Sequence, residues 1–471
     1  MSNIGTENQP LRVAVVGSGP AGFFAAVALL KQKDIRVCVD VFDRLPTPYG
    51  LVRGGVAPDH QHTKSVIRSY EKTAQLPGFR FFGNVTIGED LTIADLQAHY
   101  HQVLFAVGNE TDRQLRLPGA ELQGITSATS FVGWYNSHPD FRDLTFDLSS
   151  KRVAIVGIGN VAVDVARILA RHADELVETD IADYALEALR ASAVKDIVVL
   201  GRRGPVQAAF APTELRELSE LSNAALHVRS EDVDLDAHSR QQLEESGPKS
   251  PLRRNFDILE GHVGSAPKAR NIDMRFCASP AEFYGDANGR VCRMRIERNE
   301  LQLADNGTMR SRGTGRFDEI DVDWVFVSIG YRGEPVVGVP FDEERGRIPN
   351  KDGRIFDPNA DGIVPRLYVV GWAKTGPSGL IGPHKKASAA VVQLMLKDVD
   401  AGEVPSLEQV DASSLPTLLE QRGVRYVTFE DWKRIDAAEI ERGEAQGALR
   451  RKFSRISEML EVVGKSTDSV S

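Results

Sequence analysis

The stretch that decides the fold is Val13-Ala14-Val15-Val16-Gly17-Ser18-Gly19-Pro20-Ala21-Gly22, followed by the apolar run Phe23–Leu30. A β-branched run, a GxGxxG turn and a helical apolar pattern in that order predict a strand, a tight turn and a helix whose N-terminus faces a pyrophosphate. The glycines let the backbone approach the phosphates, and the first turn of the helix offers free N–H groups. A second copy follows: Val153–Val156, then Gly157-Ile158-Gly159-Asn160-Val161-Ala162, then Val163–Leu169. Two such units in one chain predict two bound dinucleotides and electron transfer between them.

The chain has 471 residues, 42% hydrophobic and 26% charged, which is room for two or three domains with ordinary cores. A net charge of −9 argues against general nucleic-acid binding, which needs a basic surface. Residues 1–10 carry no basic segment followed by an apolar core, so no export or transit signal is read there. Val13–Leu30 is apolar, but its glycines and Pro20 break it into a buried strand and helix rather than a membrane span. Cys38, Cys277 and Cys292 are isolated, each in a strand-like run. They form no CxxC or Cys/His ligand set, which excludes an intrinsic iron–sulfur cluster, a zinc site and a redox dithiol. Sparse cysteine fits a reducing compartment, and the expected location is the cytoplasm.

Along the chain, Ile35–Phe42 alternates like a second strand and ends at Asp43. The segment Pro46–Pro58 is too rich in proline and glycine for a helix and predicts a shaped loop against the nucleotide. A helical pattern spans Lys64–Gln75, and strands are expected at Phe79–Val85, Val103–Val107, Trp324–Ile329 and Leu367–Val370. A helical run covers Ala387–Leu396. The second nucleotide unit is thus inserted into the first. The expected division is 1–112 and 333–471 for the first dinucleotide-binding domain and 113–332 for the second, both Rossmann-like α/β folds. Ser230–His262 reads as an exposed polar excursion, and 465–471 as a frayed end.

The residue closing the second strand of each unit distinguishes the two nucleotides. In the first unit it is Asp43, about 20 residues beyond Gly22, where an acid bonds a free ribose 2′-hydroxyl. In the second unit the strand Ile197–Leu200 runs into Gly201-Arg202-Arg203-Gly204. Two guanidinium groups there suit a 2′-phosphate. The distance from Ala162 to Arg202 exceeds the usual spacing, and Glu175–Val194 reads as the extra helix that fills it. The first unit therefore takes FAD or NAD, and the second NADP(H).

The remaining motifs resemble one family, the adrenodoxin reductase family of NADPH–ferredoxin reductases. They are Pro48-Tyr49-Gly50-Leu51-Val52-Arg53, Gly55-Val56-Ala57-Pro58-Asp59-His60, Phe131-Val132-Gly133-Trp134-Tyr135-Asn136, the second fingerprint through Asp164, Gly201–Phe210, Glu214–Leu218 and Gly371–Gly382. The resemblance implies FAD at Gly17, Gly19, Pro20, Ala21, Gly22, Asp43 and Leu51, and NADP(H) at Gly157, Gly159, Asn160, Val161, Arg202, Arg203 and Glu214. It also implies that Trp372, Gly379, Leu380 and Ile381 line the nicotinamide and flavin, with a helix starting near Ile381 favouring negative charge on reduced flavin. His60, Glu217 and Trp372 are the implied catalytic residues, and no metal is implied. The implied activity is that of a ferredoxin–NADP(+) reductase, which takes hydride from NADPH and passes single electrons to a small iron–sulfur protein. The basic cluster Lys249, Arg253 and Arg254 is the implied dock for that partner. Other readings are a flavoprotein with a different acceptor, or one that only senses NADPH. Asp43, Gly54, Gln61-His62 and Thr375 depart from the family's usual residues.

The arginine assignment carries a direct test. Replacing Arg202 and Arg203 with alanine is expected to weaken NADPH far more than NADH, by roughly 1.5–3 kcal/mol for each charge-assisted bond lost. Equal losses for the two nucleotides in binding titrations would remove the assignment.

Overall fold

The computed structural model describes residues 4–305, 307–377, 381–407 and 413–464. It divides into two compact units, and the first is assembled from three separate parts of the chain: Met1–Val56, His60–Thr111 and Gly330–Ser471. The second comprises Ala57–Asp59 and Asp112–Ile329.

The core of the first unit is a seven-stranded sheet, with the strand Leu11–Val16 between Gln102–Phe105 and Val37–Phe42. Pairing is parallel on both sides, with Val13 opposite Val39 and Gln102. A strand buried on both faces is nearly continuously apolar, and Leu11, Val13, Ala14 and Val15 are fully buried. Phe79–Phe82 closes one edge; Gly362–Val369 follows Gln102–Phe105 on the other side, continued by a small antiparallel hairpin. The helix Pro20–Leu30 starts with proline at its first position, where a missing N–H costs nothing, and packs against the long helix Ile381–Asp400. Glu439 on the helix Phe429–Glu444 is fully buried, and Arg53 forks onto it at 2.8 Å.

The second unit repeats the plan with a six-stranded, all-parallel sheet. Arg152–Val156 lies between Trp324–Val327 and Asp196–Leu200, with Arg270–Arg275 and Ala224–Val228 beyond. The helix Asn160–Ala170 follows the strand as Pro20–Leu30 does in the first unit. A three-stranded antiparallel sheet, Ala278–Gly285, Val291–Leu303 and Met309–Asp321, adds its own apolar layer around Phe283, Met294 and Ile296.

The fold is α/β with two dinucleotide-binding units, the second inserted in the sequence of the first. Several local expectations change. The proline-rich loop contains one helical turn, Leu51–Gly54, because the segment between Tyr49 and Gly55 is free of proline. The helix expected over Lys64–Gln75 starts later, at Ile67, after a separate turn Gln61–Lys64. The stretch Glu175–Val194 forms a 3₁₀ turn at Ala173–Leu176 and a helix at Asp183–Arg190 rather than one helix. The polar excursion folds into the helices Ser230–Val233, Ala237–Glu245 and Pro251–Glu260, whose Leu243 and Phe256 enclose a small core with Val206. Cys277 lies between strands with a φ of 47°, and all three cysteines are half-buried, neither fully enclosed nor paired. The expected frayed end, 465–471, falls outside the described residues. No helix among the described residues is long and apolar enough to cross a membrane.

Candidate functional site

Each fingerprint turn is built by what it forbids. A Cβ on Gly17 would sit 2.5 Å from the Ala106 carbonyl oxygen, and one on Gly22 would sit 2.1 Å from that of Gly17. Gly17 also has a φ of 104°, open to glycine and strained for other residues. By contrast, nothing lies within 4 Å of a Cβ placed on Gly19. The turn is thus tight toward the protein and open on the side where the helix Pro20–Leu30 presents its first N–H groups. The second fingerprint repeats the contrast: a Cβ on Gly157 would meet the Ser328 carbonyl oxygen at 2.0 Å, while Gly159 faces open space. Both cradles therefore fit a pyrophosphate.

Around the first cradle, Asp43 accepts hydrogen bonds from the Ser18 hydroxyl, from Ser18 N–H at 3.1 Å and from Leu45 N–H at 3.0 Å. Burial raises its pKa against the pull of these bonds toward the anion. The carboxylate expected at the ribose thus also locks the fingerprint turn. The loop at Tyr49 closes on the same turn through Tyr49 N–H to the Ser18 carbonyl at 3.1 Å, and half-buried Leu51 begins the helical turn beside it. From the far end of the sequence, Gly371 packs against Ala21, where a Cβ would come within 2.7 Å of the alanine methyl. Ser388 on the helix Ile381–Asp400 donates to the Ala21 carbonyl at 3.2 Å. Trp372 follows Gly371 and lies beside Tyr331, 5.4 Å between ring centroids with the planes tilted by 31°, and the His384 ring is at its edge. Burial lowers the pKa of His384. The helix does begin at Ile381, whereas Gly379 and Leu380 lie outside the described residues. His60 is half-buried in the first unit and caps the turn Gln61–Lys64, its carbonyl accepting from Lys64 N–H.

In the second unit the side chain of Asn160, the first helical residue after Gly159, accepts from Ala211 N–H at 2.7 Å. Ile158 accepts from Ala209 N–H, and Val161 packs at the edge of the core. These bonds tie the segment carrying Arg202, Arg203 and Glu214 to the second cradle. Arg202 is exposed and Arg203 half-buried, and among the described residues neither guanidinium has a carboxylate partner. Burial and the neighbouring Arg202 lower the pKa of Arg203, the mark of two cations held together with no anion between them. Glu214 sits in the first turn of the helix Pro212–Ser219 with its Oε2 buried. Glu217, one turn on, lies 3.8 Å from the guanidinium of Arg167.

Arg167 was not anticipated. It is fully buried on the helix Asn160–Ala170 and binds Asp59 and Asp164, and Arg171 binds Asp59 as well. Its position on an apolar helix face carries no outward signal, since arginine at one helical register is usually solvated. Tyr331 and His384 were likewise missed as neighbours of Trp372, because their contacts join distant parts of the chain. Lys249 and Arg254 are exposed, whereas Arg253 is half-buried and reaches the Leu243 carbonyl at 3.4 Å.

Two cradles, one beside a carboxylate and one beside unpaired arginines, define a flavin- and pyridine-nucleotide-dependent oxidoreductase. A family model described as pyridine nucleotide-disulphide oxidoreductase matches residues 11–198. The chain is 41% identical to NADPH-ferredoxin reductase FprA of Mycobacterium tuberculosis, over 96% of this chain and 99% of that one. It is 39% identical to a mitochondrial NADPH:adrenodoxin oxidoreductase of Arabidopsis thaliana, over 96% and 95%. The solved structure of M. tuberculosis FprA in complex with NADPH superposes with a TM-score of 0.90, covering 97% of this chain and all of that one. The chain belongs to the NADPH–ferredoxin reductase family of adrenodoxin reductase type.

The glycines separate folding from binding. Gly159→Ala is expected to cost about 1 kcal/mol or less as a changed helix cap, yet to weaken NADPH at least tenfold by filling the open side of the cradle. Gly157→Ala is expected to disrupt the unit itself. Denaturation curves and nucleotide titration of both variants check this; an unchanged NADPH affinity in a folded Gly159→Ala protein would refute it.

Proposed function

We propose that this chain is an NADPH-dependent ferredoxin reductase that takes hydride at the second fingerprint and delivers single electrons to a ferredoxin-type iron–sulfur protein from the first. The observation that carries this reading is the asymmetry of the two cradles: Asp43 at one, and at the other Arg202 and Arg203, which have no carboxylate partner among the described residues. When bound, FAD supplies the passage between two-electron and one-electron transfer, and NADPH supplies the hydride.

The residues of the chain bind and orient. Gly17, Gly19, Pro20, Ala21 and Gly22 hold the FAD pyrophosphate, Asp43 its ribose, and Leu51 packs beside it. Gly157, Gly159, Asn160 and Val161 hold the NADP(H) pyrophosphate; Arg202 and Arg203 grip the 2′-phosphate, and Glu214 bonds the adenosine side. Trp372, supported by Tyr331, controls stacking where the nicotinamide meets the flavin, since hydride transfer depends on distance and alignment. By resemblance Gly379 and Leu380, which lie outside the described residues, and Ile381 would contact the nicotinamide and flavin, and the helix that opens at Ile381 would stabilise negative charge on reduced flavin. His60 and Glu217 hold protons or water near the flavin. Three free cysteines suit the reducing cytoplasm.

The partner is met through Lys249, Arg253 and Arg254 on and just before the helix Pro251–Glu260. A local basic face is needed because the whole chain carries −9, which gives an acidic partner no overall attraction.

FAD-loaded protein is expected to turn over NADPH with ferricyanide and, through a ferredoxin, with cytochrome c. No turnover would leave only the sensing role. Lys249→Glu with Arg254→Glu is expected to raise the ferredoxin KM several-fold at low salt, fading as salt screens the contact, while ferricyanide reduction stays unchanged. A KM that does not move would exclude this face as the dock.

A further inference from the structure

Arg202 and Arg203 stand on a loop with no regular structure of its own, and the neighbouring antiparallel sheet holds that loop from outside. Gly201 and Gly204 are buried, and a Cβ on Gly201 would come within 2.6 Å of the Ile158 side chain in the fingerprint turn. The loop therefore lies tight against the cradle. Its backbone carbonyls are all claimed. Gly201 accepts from Ala278 N–H at 2.9 Å, Arg203 from Cys277 N–H at 3.0 Å and Gly204 from Gln207 N–H at 3.1 Å. The Arg202 carbonyl accepts instead from a side chain, Asn299 Nδ2, at 2.9 Å.

Asn299 is itself fixed. Its N–H donates to the Cys277 carbonyl at 2.7 Å, and its Nδ2 also donates to Ser279 Oγ at 2.7 Å. Its strand, Val291–Leu303, pairs irregularly with Met309–Asp321 between Glu297 and Asn299, a bulge of the kind that re-aims a side chain. The Arg202 carbonyl belongs to the planar peptide that joins Arg202 to Arg203. Holding this oxygen holds the plane, and the plane sets how the two side chains leave the backbone relative to each other. The restraint has something to oppose, because burial and the neighbouring Arg202 both disfavour the charge on Arg203. A peptide free to turn would let the two cations move apart.

We propose that Asn299 is a positioning residue that sets the preference of the second cradle for a 2′-phosphorylated nucleotide, by fixing the peptide between Arg202 and Arg203 so that both guanidinium groups converge on one phosphate. This rests on the reading that these arginines grip the 2′-phosphate. Asn299 acts through the arginines rather than on the nucleotide. A phosphate dianion gains its full set of forked, charge-assisted bonds only when both donors are already in place. A loosened peptide therefore costs the phosphate contact and leaves the rest of the nucleotide as it was.

The test uses two fragments that differ only in that phosphate, 2′,5′-ADP and 5′-AMP, titrated into the FAD-loaded protein by calorimetry. Asn299→Ala is expected to weaken 2′,5′-ADP by about threefold to tenfold, the worth of one hydrogen bond, and to leave 5′-AMP unchanged. Where Arg202 and Arg203 have already been replaced with alanine, the same change is expected to have no further effect on either fragment, since no guanidinium remains to be aimed. Asn299→Thr suits a strand better than asparagine, and its hydroxyl falls short of the Arg202 carbonyl; it is expected to give the same pattern if the alanine variant folds poorly. An unchanged 2′,5′-ADP affinity, an equal loss for both fragments, or the same loss without the arginines would each overturn the proposal. A wild-type protein that binds the two fragments equally would instead overturn the reading of Arg202 and Arg203, which keeps the two failures apart.

Discussion

The structure depends on a close approach of backbone to backbone at the end of one strand in each unit. Gly17 touches the Ala106 carbonyl and Gly157 the Ser328 carbonyl at distances that no side chain could tolerate. That contact fixes the strand Leu11–Val16 against Gln102–Phe105, and Arg152–Val156 against Trp324–Val327, at the ends where the following helices begin. Each helix therefore starts over a crevice between diverging strand ends, with its free N–H groups aimed outward. Gly19 and Gly159 keep that outward side clear. Steric exclusion on one side and open space on the other turn a common strand–helix connection into an anion site.

Charge then separates two cradles that geometry makes alike. Asp43 is committed to its own turn through Ser18 and Leu45, which orients the carboxylate before any ligand arrives. Arg202 and Arg203 are arranged in the opposite way, as neighbouring cations with no carboxylate partner among the described residues, one of them half-buried. Holding them so costs the folded protein repulsion that a phosphate dianion would remove. On the proposed assignment, a carboxylate would repel a 2′-phosphate, so Asp43 would turn NADP(H) away from the first cradle while the arginines favour it at the second.

The parallel sheets, the two turns and their helices were legible because each follows from local rules: apolar runs buried on both faces, glycine where no Cβ fits, proline at the first helical position. The positions of Asp43 and Arg202-Arg203 just beyond the strands Val37–Phe42 and Asp196–Leu200 were legible for the same reason, since they are a matter of counting. What escaped were long-range contacts. Nothing near Trp372 in the sequence announces Tyr331, and the polar segment 230–262 hid Leu243 and Phe256, too widely spaced to signal a core. Helix boundaries such as Ile67 and Asp183 moved because capping and packing, rather than propensity, set where a short helix starts.

Arg167 shows why such contacts matter to the chemistry. A guanidinium with no exposure would be costly if unpaired, and here it is met by Asp59 and Asp164, with Glu217 at 3.8 Å. Asp59 also receives Arg171. The three residues Ala57–Asp59 belong to the second unit, although they lie within the sequence of the first. Two arginines holding one carboxylate leave the backbone at Asp59 little freedom, and His60 is the next residue. One buried cation thus holds Asp59 and Asp164 and lies within reach of Glu217. The network ties a carboxylate on a connecting segment, Asp59, to the helix Asn160–Ala170 of the same unit, so that a position the local sequence leaves loose is fixed by interior charge.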